Sequence, residues 1–188
     1  MQSFHSATKT PLAFFLRAKA WQLFLLNTAP ALLVLAFVPQ TGFTPVILVL
    51  ALTICAVPWL MWLHTLGATL GRVTQKVLRP HIAYFSFNIV YSLVFLLGFA
   101  FLLAEIFRRG SVGAEFSLVL GLAIPAQLYA AFAIYHSVYY VARRLTIVEL
   151  QRNASMGEAL QNFVLMFFFP IGVWITQPKI RGLFARLR

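Results

Sequence analysis

The fold of this chain is decided by the stretch of residues 82–106, which reads IAYFSFNIVYSLVFLLGFAFLLAEI and carries one charged residue, Glu105. A bilayer core is about 30 Å thick and an α-helix rises about 1.5 Å per residue, so a crossing needs about 20 apolar residues. Backbone amides and carbonyls find no water in lipid, and an apolar run of this length must therefore close its hydrogen bonds internally. The stretch predicts a transmembrane helix.

Three more stretches have the same character, at residues 20–38, 43–71 and 116–142. The whole chain is 61% hydrophobic and 10% charged, whereas a soluble domain is about 45–50% apolar and about 25% charged. These observations predict an all-α integral membrane bundle of about four transmembrane helices in residues 1–152. Residues 153–188 are predicted to form a separate region on the cytoplasmic side of the membrane.

The positive charges predict the orientation of the spans. All but Arg108 and Arg109 of the 15 Lys and Arg residues lie before the first predicted span, between the second and third, or after the fourth. Short cytoplasmic loops are enriched in Lys and Arg, so both termini are expected in the cytoplasm. The basic residues lie in small groups at membrane edges, which favours anionic lipid headgroups over nucleic acid as their partners.

The region after the fourth span begins with a helix-start signal. Ser155 followed by Glu158 reads as a capping box, in which each side chain bonds the backbone amide of the other residue. The apolar run that follows, residues 163–175, is predicted to stop near Pro170 and Gly172 and is too short for a simple span. Three interpretations of this run stay open: a re-entrant segment, an interfacial segment, or a segment buried between the other helices.

The last segment, which starts at Gln177 and Pro178, is predicted to be a basic amphipathic helix in the headgroup layer. Its apolar face consists of Ile180, Leu183, Phe184 and Leu187. The basic residues of the remainder are Lys179, Arg181, Arg186 and Arg188. One interpretation is a binding surface for anionic lipid or a protein partner. A stabilising anchor that completes the topology is the favoured interpretation.

The stretch FFFPIGVWITQPKI at residues 167–180 resembles the C-terminal pattern of small, uncharacterised multi-pass bacterial membrane proteins. The resemblance covers under a tenth of the chain. It implies a location in the bacterial inner membrane, and it brings no catalytic role.

Three histidines are the candidate metal ligands. His64, His81 and His136 are all expected near the cytoplasmic interface, where three imidazoles at one depth could bind zinc or another transition metal. Their spacing in the sequence does not require that they meet. The favoured interpretation is that each ring bonds a headgroup, a carbonyl or a neighbouring Tyr, and no cofactor is expected.

Other residues within the spans are candidates for a polar cavity or for helix packing. The polar ones are Asn27, Asn88, Ser92 and Gln127, and the small ones are the pairs Gly67 with Gly71 and Ala126 with Ala130. Small residues four apart let helices approach closely, and polar groups bond across helices. Interhelical hydrogen bonding is therefore favoured over a conduction path.

The sequence lacks the usual apparatus of the main catalytic classes. It contains no Asp, and its acidic residues are Glu105, Glu115, Glu149 and Glu158, all expected at or outside the membrane surfaces. Clustered carboxylates for Mg²⁺ chemistry and a Ser-His-Asp set cannot be assembled from them. The leading hypothesis is a non-enzymatic membrane component, which is either a homo-oligomer or a subunit of a complex with other membrane proteins. A pore or small-solute transporter and a metal-dependent membrane enzyme are the alternatives.

Overall fold

The computed structural model describes residues 13–41, 44–74, 82–109 and 114–186. These residues form helices connected by short segments and contain no strand, which confirms the all-helical prediction. The helices are α1 (Ala13–Arg17), α2 (Ala20–Thr41), α3 (Thr44–Val73), α4 (Ile82–Arg109), α5 (Ala114–Leu150), α6 (Met156–Phe167) and α7 (Phe169–Arg186).

Two helical segments among the described residues are long and apolar enough to cross a bilayer, Ala51–Val73 of α3 and Ile82–Ile106 of α4. The bent pair α6 and α7 makes a third if it is taken as one broken span, while Ala20–Val34 of α2 is a shorter apolar segment. The predicted spans 20–38 and 116–142 lie within α2 and α5. The described residues thus support two to three spans, and the predicted number of four is not confirmed.

Helix α3 lies at the centre of the bundle. It packs against α1, α2, α4 and α5, and 44% of its apolar segment is buried, whereas only 17% of the α4 segment is. The largest fully buried side chains near its centre are Trp62, Leu63 and Leu66, which meet Phe85 of α4 and Val141 of α5 in one core. Helix α4 therefore exposes most of its surface, as a lipid-facing helix does.

The helix that contains the fourth predicted span continues past Arg143 and Arg144 and ends at Leu150. The next residue, Gln151, takes a positive φ of 54° and so breaks the helix. Arg144 is 4% exposed, donates to the Thr74 hydroxyl at 2.6 Å and lies over the Tyr140 ring at 5.0 Å. The buried guanidinium connects the C-terminal ends of α3 and α5.

The predicted capping box is present at the start of α6. The Ser155 hydroxyl accepts from the Glu158 amide at 3.4 Å, and the Glu158 carboxylate accepts from the Ser155 amide at 2.8 Å. Arg152 also pairs with this carboxylate. The Arg152 guanidinium and the two Ser155 donors lower the pKa of Glu158 to about 2.

Acidification provides a test of this cap. Since the pKa of Glu158 is lower in the folded chain than its ordinary value of 4.5, its contribution to stability is complete above about pH 4.5 and is lost as the pH falls towards 2. We expect the thermal midpoint in detergent to fall between pH 4.5 and 2 for the wild type. The same scan on Glu158→Gln should show a smaller change, and equal slopes for both proteins would contradict the role of this carboxylate.

Helices α6 and α7 form a hairpin whose axes are bent by 120° at Phe168. The Phe168 amide donates to the Val164 carbonyl and ends α6, while its own carbonyl accepts from the Gly172 amide and opens α7. The break therefore precedes Pro170 and Gly172, which were predicted to be the stop. Pro170 lies in the first turn of α7, where a missing N–H costs no helical hydrogen bond.

The prediction of a separate last helix from Gln177 and Pro178 is wrong. Helix α7 runs without interruption from Phe169 to Arg186 and contains Pro178. Proline removes one amide hydrogen bond from a helix, but tertiary contacts can compensate for it. Here the residue before it, Gln177, is completely buried and bonds to two other elements.

Candidate functional site

A polar cluster of three side chains connects α4 and α5. The Tyr129 hydroxyl donates to Asn88 Oδ1 at 3.0 Å, and Asn88 Nδ2 lies 3.0 Å from His136 Nδ1. Because Oδ1 accepts from Tyr129, the amide presents its NH₂ to the ring, and His136 Nδ1 is the acceptor in this arrangement. Asn88 is completely buried. This cluster holds α4 and α5 together.

His64 belongs to a different contact. Its Nε2 lies 3.4 Å from the Ser86 hydroxyl, and its ring stacks on Phe85 at 6.0 Å. Among the residues that the structure describes, no three His, Cys, Asp or Glu side chains could together hold a metal ion. The third candidate ligand, His81, lies outside the described residues. The described histidines therefore make separate contacts with α4 neighbours rather than a common site.

The remaining polar candidates have unlike surroundings. Asn27 is buried, and its backbone carbonyl accepts from the Cys55 thiol at 2.9 Å. The Ser92 hydroxyl bonds the Asn88 carbonyl of its own helix at 2.8 Å. Gln127, in contrast, lies on the exposed face of α5, away from the Asn88 cluster. The four predicted polar residues do not line one cavity.

The small residues lie at close helix contacts. A Cβ added to Gly67 would lie 2.5 Å from the Phe85 ring of α4, and one added to Gly71 would lie 3.0 Å from the Tyr140 hydroxyl of α5. Ala130 is buried, and the Ala126 carbonyl accepts from the Tyr91 hydroxyl of α4 at 3.1 Å. Both pairs lie where α4 and α5 meet their neighbours.

Gln177 is the most connected polar side chain of α7. Its Oε1 accepts from Trp62 Nε1 of α3 at 3.2 Å, and its Nε2 donates to the carbonyls of Phe15 and Ala18 at 3.0 and 2.9 Å. It is completely buried, so these bonds satisfy groups that water cannot reach. One amide thus holds α1, α3 and α7 together.

The base of the hairpin carries a second polar network. Lys179 Nζ lies 2.9 Å from Glu149 Oε1 and donates to Asn162 Oδ1 at 3.2 Å. Asn162 is buried and donates to the Thr146 hydroxyl at 2.9 Å and to the Glu149 carboxylate at 3.1 Å. The network fastens α6 and α7 to the end of α5.

The predicted lipid-contacting face of the last helix requires correction. Ile180 and Phe184 are buried in the protein core, and Leu183 is partly buried against it, because α7 packs on α1, α2 and α6. Arg181 and Arg186 are exposed, whereas Lys179 pairs with Glu149. Two other members of the predicted set, Leu187 and Arg188, lie outside the described residues. The described part of the apolar stripe, Ile180, Leu183 and Phe184, therefore faces the protein.

An apolar groove of about 240 Å³ lies between α5 and α6. Its lining consists of Phe132, Tyr135, His136, Tyr139, Met156, Leu160 and Phe163. The Tyr135 ring stacks on the rings of Phe163 and Phe167 of α6, with centroid distances of 6.4 and 5.2 Å. These stacked rings join α5 to α6. The groove is open to the outside of the bundle, since Phe132 and Leu160 are each about half exposed.

Sequence reasoning missed Gln177, Asn162 and the groove. Gln177 was taken as a helix start because it precedes Pro178, and no local pattern reveals that a glutamine bonds to residues more than 150 positions away. The i, i+4, i+7 spacing of Met156, Leu160 and Phe163 is the one signal that could have indicated the α6 side of the groove.

Comparison with known proteins found no matching protein family, no matching curated protein and no matching solved structure. The resemblance of residues 167–180 to bacterial membrane proteins therefore stays an expectation.

Proposed function

We propose that this chain is a non-enzymatic, multi-pass component of the bacterial inner membrane, with about four spans and both termini in the cytoplasm, and that it works as a homo-oligomer. The observation that carries the proposal is the exposed side-chain amide of Gln127 on α5. Arg143 and Glu115 lie about 24 Å and about 18 Å from it along the helix, at about 1.5 Å per residue. On this topology Gln127 lies within the hydrocarbon core.

The neighbours of Gln127 make its exposure unfavourable for a single copy in lipid. Ile124 and Leu128 are 63% and 68% exposed, and Ala131 is exposed as well. No hydrogen bond to the Gln127 side chain is found among the described residues, and an amide without a partner in hydrocarbon costs several kcal/mol. The protein therefore gains stability if another chain provides a partner at this position.

A second copy of this chain has the right chemistry to be that partner. A glutamine amide contains both a donor and an acceptor, so two copies related by a two-fold axis can exchange two hydrogen bonds between identical residues. Ile124 and Ala131, which are rotated by about 60° and about 40° from Gln127, provide an apolar surface for packing on the same face. Polar side chains are known to join transmembrane helices in this way.

The hairpin of α6 and α7 fits a re-entrant segment in this proposal. Asn162 and Lys179, one on each of its helices, both contact Glu149 at the end of α5. Its tip instead exposes apolar side chains, with Phe168 at 58% and Ile171 at 72%. The chain would enter the membrane and return on the same side, which keeps both ends of the hairpin cytoplasmic.

The alternatives have less support. The polar side chains that could line a pore, Asn88, Tyr129 and His136, bond to one another. A metal-dependent enzyme would need the described histidines to converge, and they contact different α4 residues. Neither hypothesis has an observation comparable to Gln127.

The test is the mass of the full chain in mild detergent, compared with that of Gln127→Leu. We expect a wild-type oligomer whose dissociation constant rises about sevenfold or more in Gln127→Leu, because two interhelical hydrogen bonds of about 0.6 to 2 kcal/mol each are lost. Gln161→Leu, which changes an exposed glutamine on α6, is the matched control and should leave the mass distribution unchanged. A monomeric wild type, or a Gln127→Leu oligomer as stable as the wild type, would contradict the proposal.

A further inference from the structure

The groove between α5 and α6 has a basic residue at one end. Tyr139 lines the groove, and Arg143 follows it by four residues on the same face of α5, about 6 Å further along the helix axis. His136 and Phe132, which also line the groove, are seven and eleven residues before Arg143 and share this face. Arg143 therefore extends the line of groove residues towards the cytoplasmic end of α5.

The surroundings of the Arg143 guanidinium favour an anionic partner. The side chain is half-buried, and its Nε is enclosed without a hydrogen-bond partner among the described residues. The next residue, Arg144, is a second guanidinium, which donates to the neutral hydroxyl of Thr74 and lies over the Tyr140 ring. Two adjacent cations, one of them buried, repel each other in a medium of low dielectric constant. An anion at Arg143 would offset this repulsion.

We propose that the groove is a binding site for one anionic phospholipid, with an acyl chain between α5 and α6 and the phosphate at Arg143. The groove provides the apolar part, since its lining is aromatic and aliphatic apart from the edge of His136. A guanidinium binds a phosphate through two parallel N–H···O bonds, which makes Arg143 well suited to a phosphodiester. On the topology proposed above, Arg143 lies at the cytoplasmic end of α5, which is the depth of the phospholipid headgroups.

The site is distinct from the surface around Gln127. Successive helix residues are rotated by about 100°, so Gln127 lies about 140° from Phe132 and about 160° from Arg143 around the α5 axis. A lipid in the groove does not need a second copy of the chain. Lipid binding and oligomer formation can therefore fail independently.

The experiment is a titration of the purified full chain in mild detergent with phosphatidylglycerol or phosphatidylcholine, read by native mass spectrometry as lipids retained per chain. For the wild type we expect one tightly retained phosphatidylglycerol and weaker retention of phosphatidylcholine. Arg143→Gln should weaken retention of phosphatidylglycerol about tenfold, since a hydrogen bond to a charged group is lost. Arg143→Gln should also abolish the preference for phosphatidylglycerol over phosphatidylcholine, while Arg143→Lys should keep part of that preference.

A second variant tests the groove without touching the charge. Leu160→Trp should fill the apolar space and reduce retention of both lipids, because the indole occupies the volume of the acyl chain. Leu33→Trp on α2, at a side chain that is 64% exposed, is the matched control and should retain lipid like the wild type. All variants are first checked for an unchanged thermal midpoint.

Three results would overturn the proposal. One is equal retention of both lipids by the wild type. Another is an equal loss of retention in Arg181→Gln, which removes an exposed cation from α7. The last is displacement of the bound lipid by soluble glycerol phosphate alone, since that would show that the site recognises the headgroup without the acyl chain.

Discussion

Gly172→Ala is expected to destabilise the folded chain by about 3 kcal/mol or more, because the added methyl group has no space. A Cβ at this position would lie 1.6 Å from the Leu165 carbonyl oxygen and 2.4 Å from its carbonyl carbon. These are backbone atoms of α6, so no side-chain rotation relieves the overlap. The α6–α7 hairpin would have to open, which would separate Phe169 and Val173 from the core.

The measurement is the free energy of unfolding in mixed detergent micelles. Gly182→Ala in the same helix is the matched control, because a Cβ there meets nothing within 4 Å. That variant should be neutral or more stable by up to about 1 kcal/mol, since alanine favours a helix over glycine. If Gly172→Ala is as stable as Gly182→Ala, the close approach of α6 and α7 is wrong.

Gln177→Leu is expected to release α1 from the bundle and to cost about 3 kcal/mol. The change leaves the Trp62 N–H and the carbonyls of Phe15 and Ala18 buried without their partner. Each buried polar group that loses its partner costs about 1–3 kcal/mol, and local opening recovers part of this loss. Since one carbonyl belongs to Phe15 of α1 and the other to Ala18, which directly follows it, that short helix is the element that opens.

Limited digestion with trypsin reports this opening directly. Arg17 and Lys19 are exposed cleavage sites close to the two carbonyls. We expect cleavage there to become at least about tenfold faster in Gln177→Leu. A loss of about 1.4 kcal/mol already corresponds to a tenfold change. Gln177→Glu can still accept from Trp62 but cannot donate, so it should also accelerate cleavage. Gln161→Leu should be cleaved like the wild type; equal rates in Gln177→Leu would contradict the role of this amide.

Local patterns predicted the features whose physical cause is local. The capping box at Ser155 and Glu158 is confirmed, because both partners lie within one turn. The apolar stretch of residues 82–106 lies in a helix long enough to span a bilayer. These predictions depend on the solvent and on helix geometry, which the sequence specifies without knowledge of tertiary contacts.

Features that depend on tertiary packing could not be predicted in the same way. The apolar face of Ile180 and Phe184 has the spacing of an interfacial helix, yet the same spacing suits a helix that packs on the protein. Pro170 and Pro178 look like helix ends, although one lies in a first turn and the other within α7. The exposure of Gln127 follows from the rotation of α5 in the bundle, which no local pattern specifies.

The bonds of Gln177 also bear on the order of events during biosynthesis. Its two carbonyl partners precede it by 162 and 159 positions, so at about 5–20 residues per second the ribosome needs on the order of ten seconds to connect them. During that interval the carbonyls of Phe15 and Ala18 lack the glutamine side chain that bonds them in the folded chain.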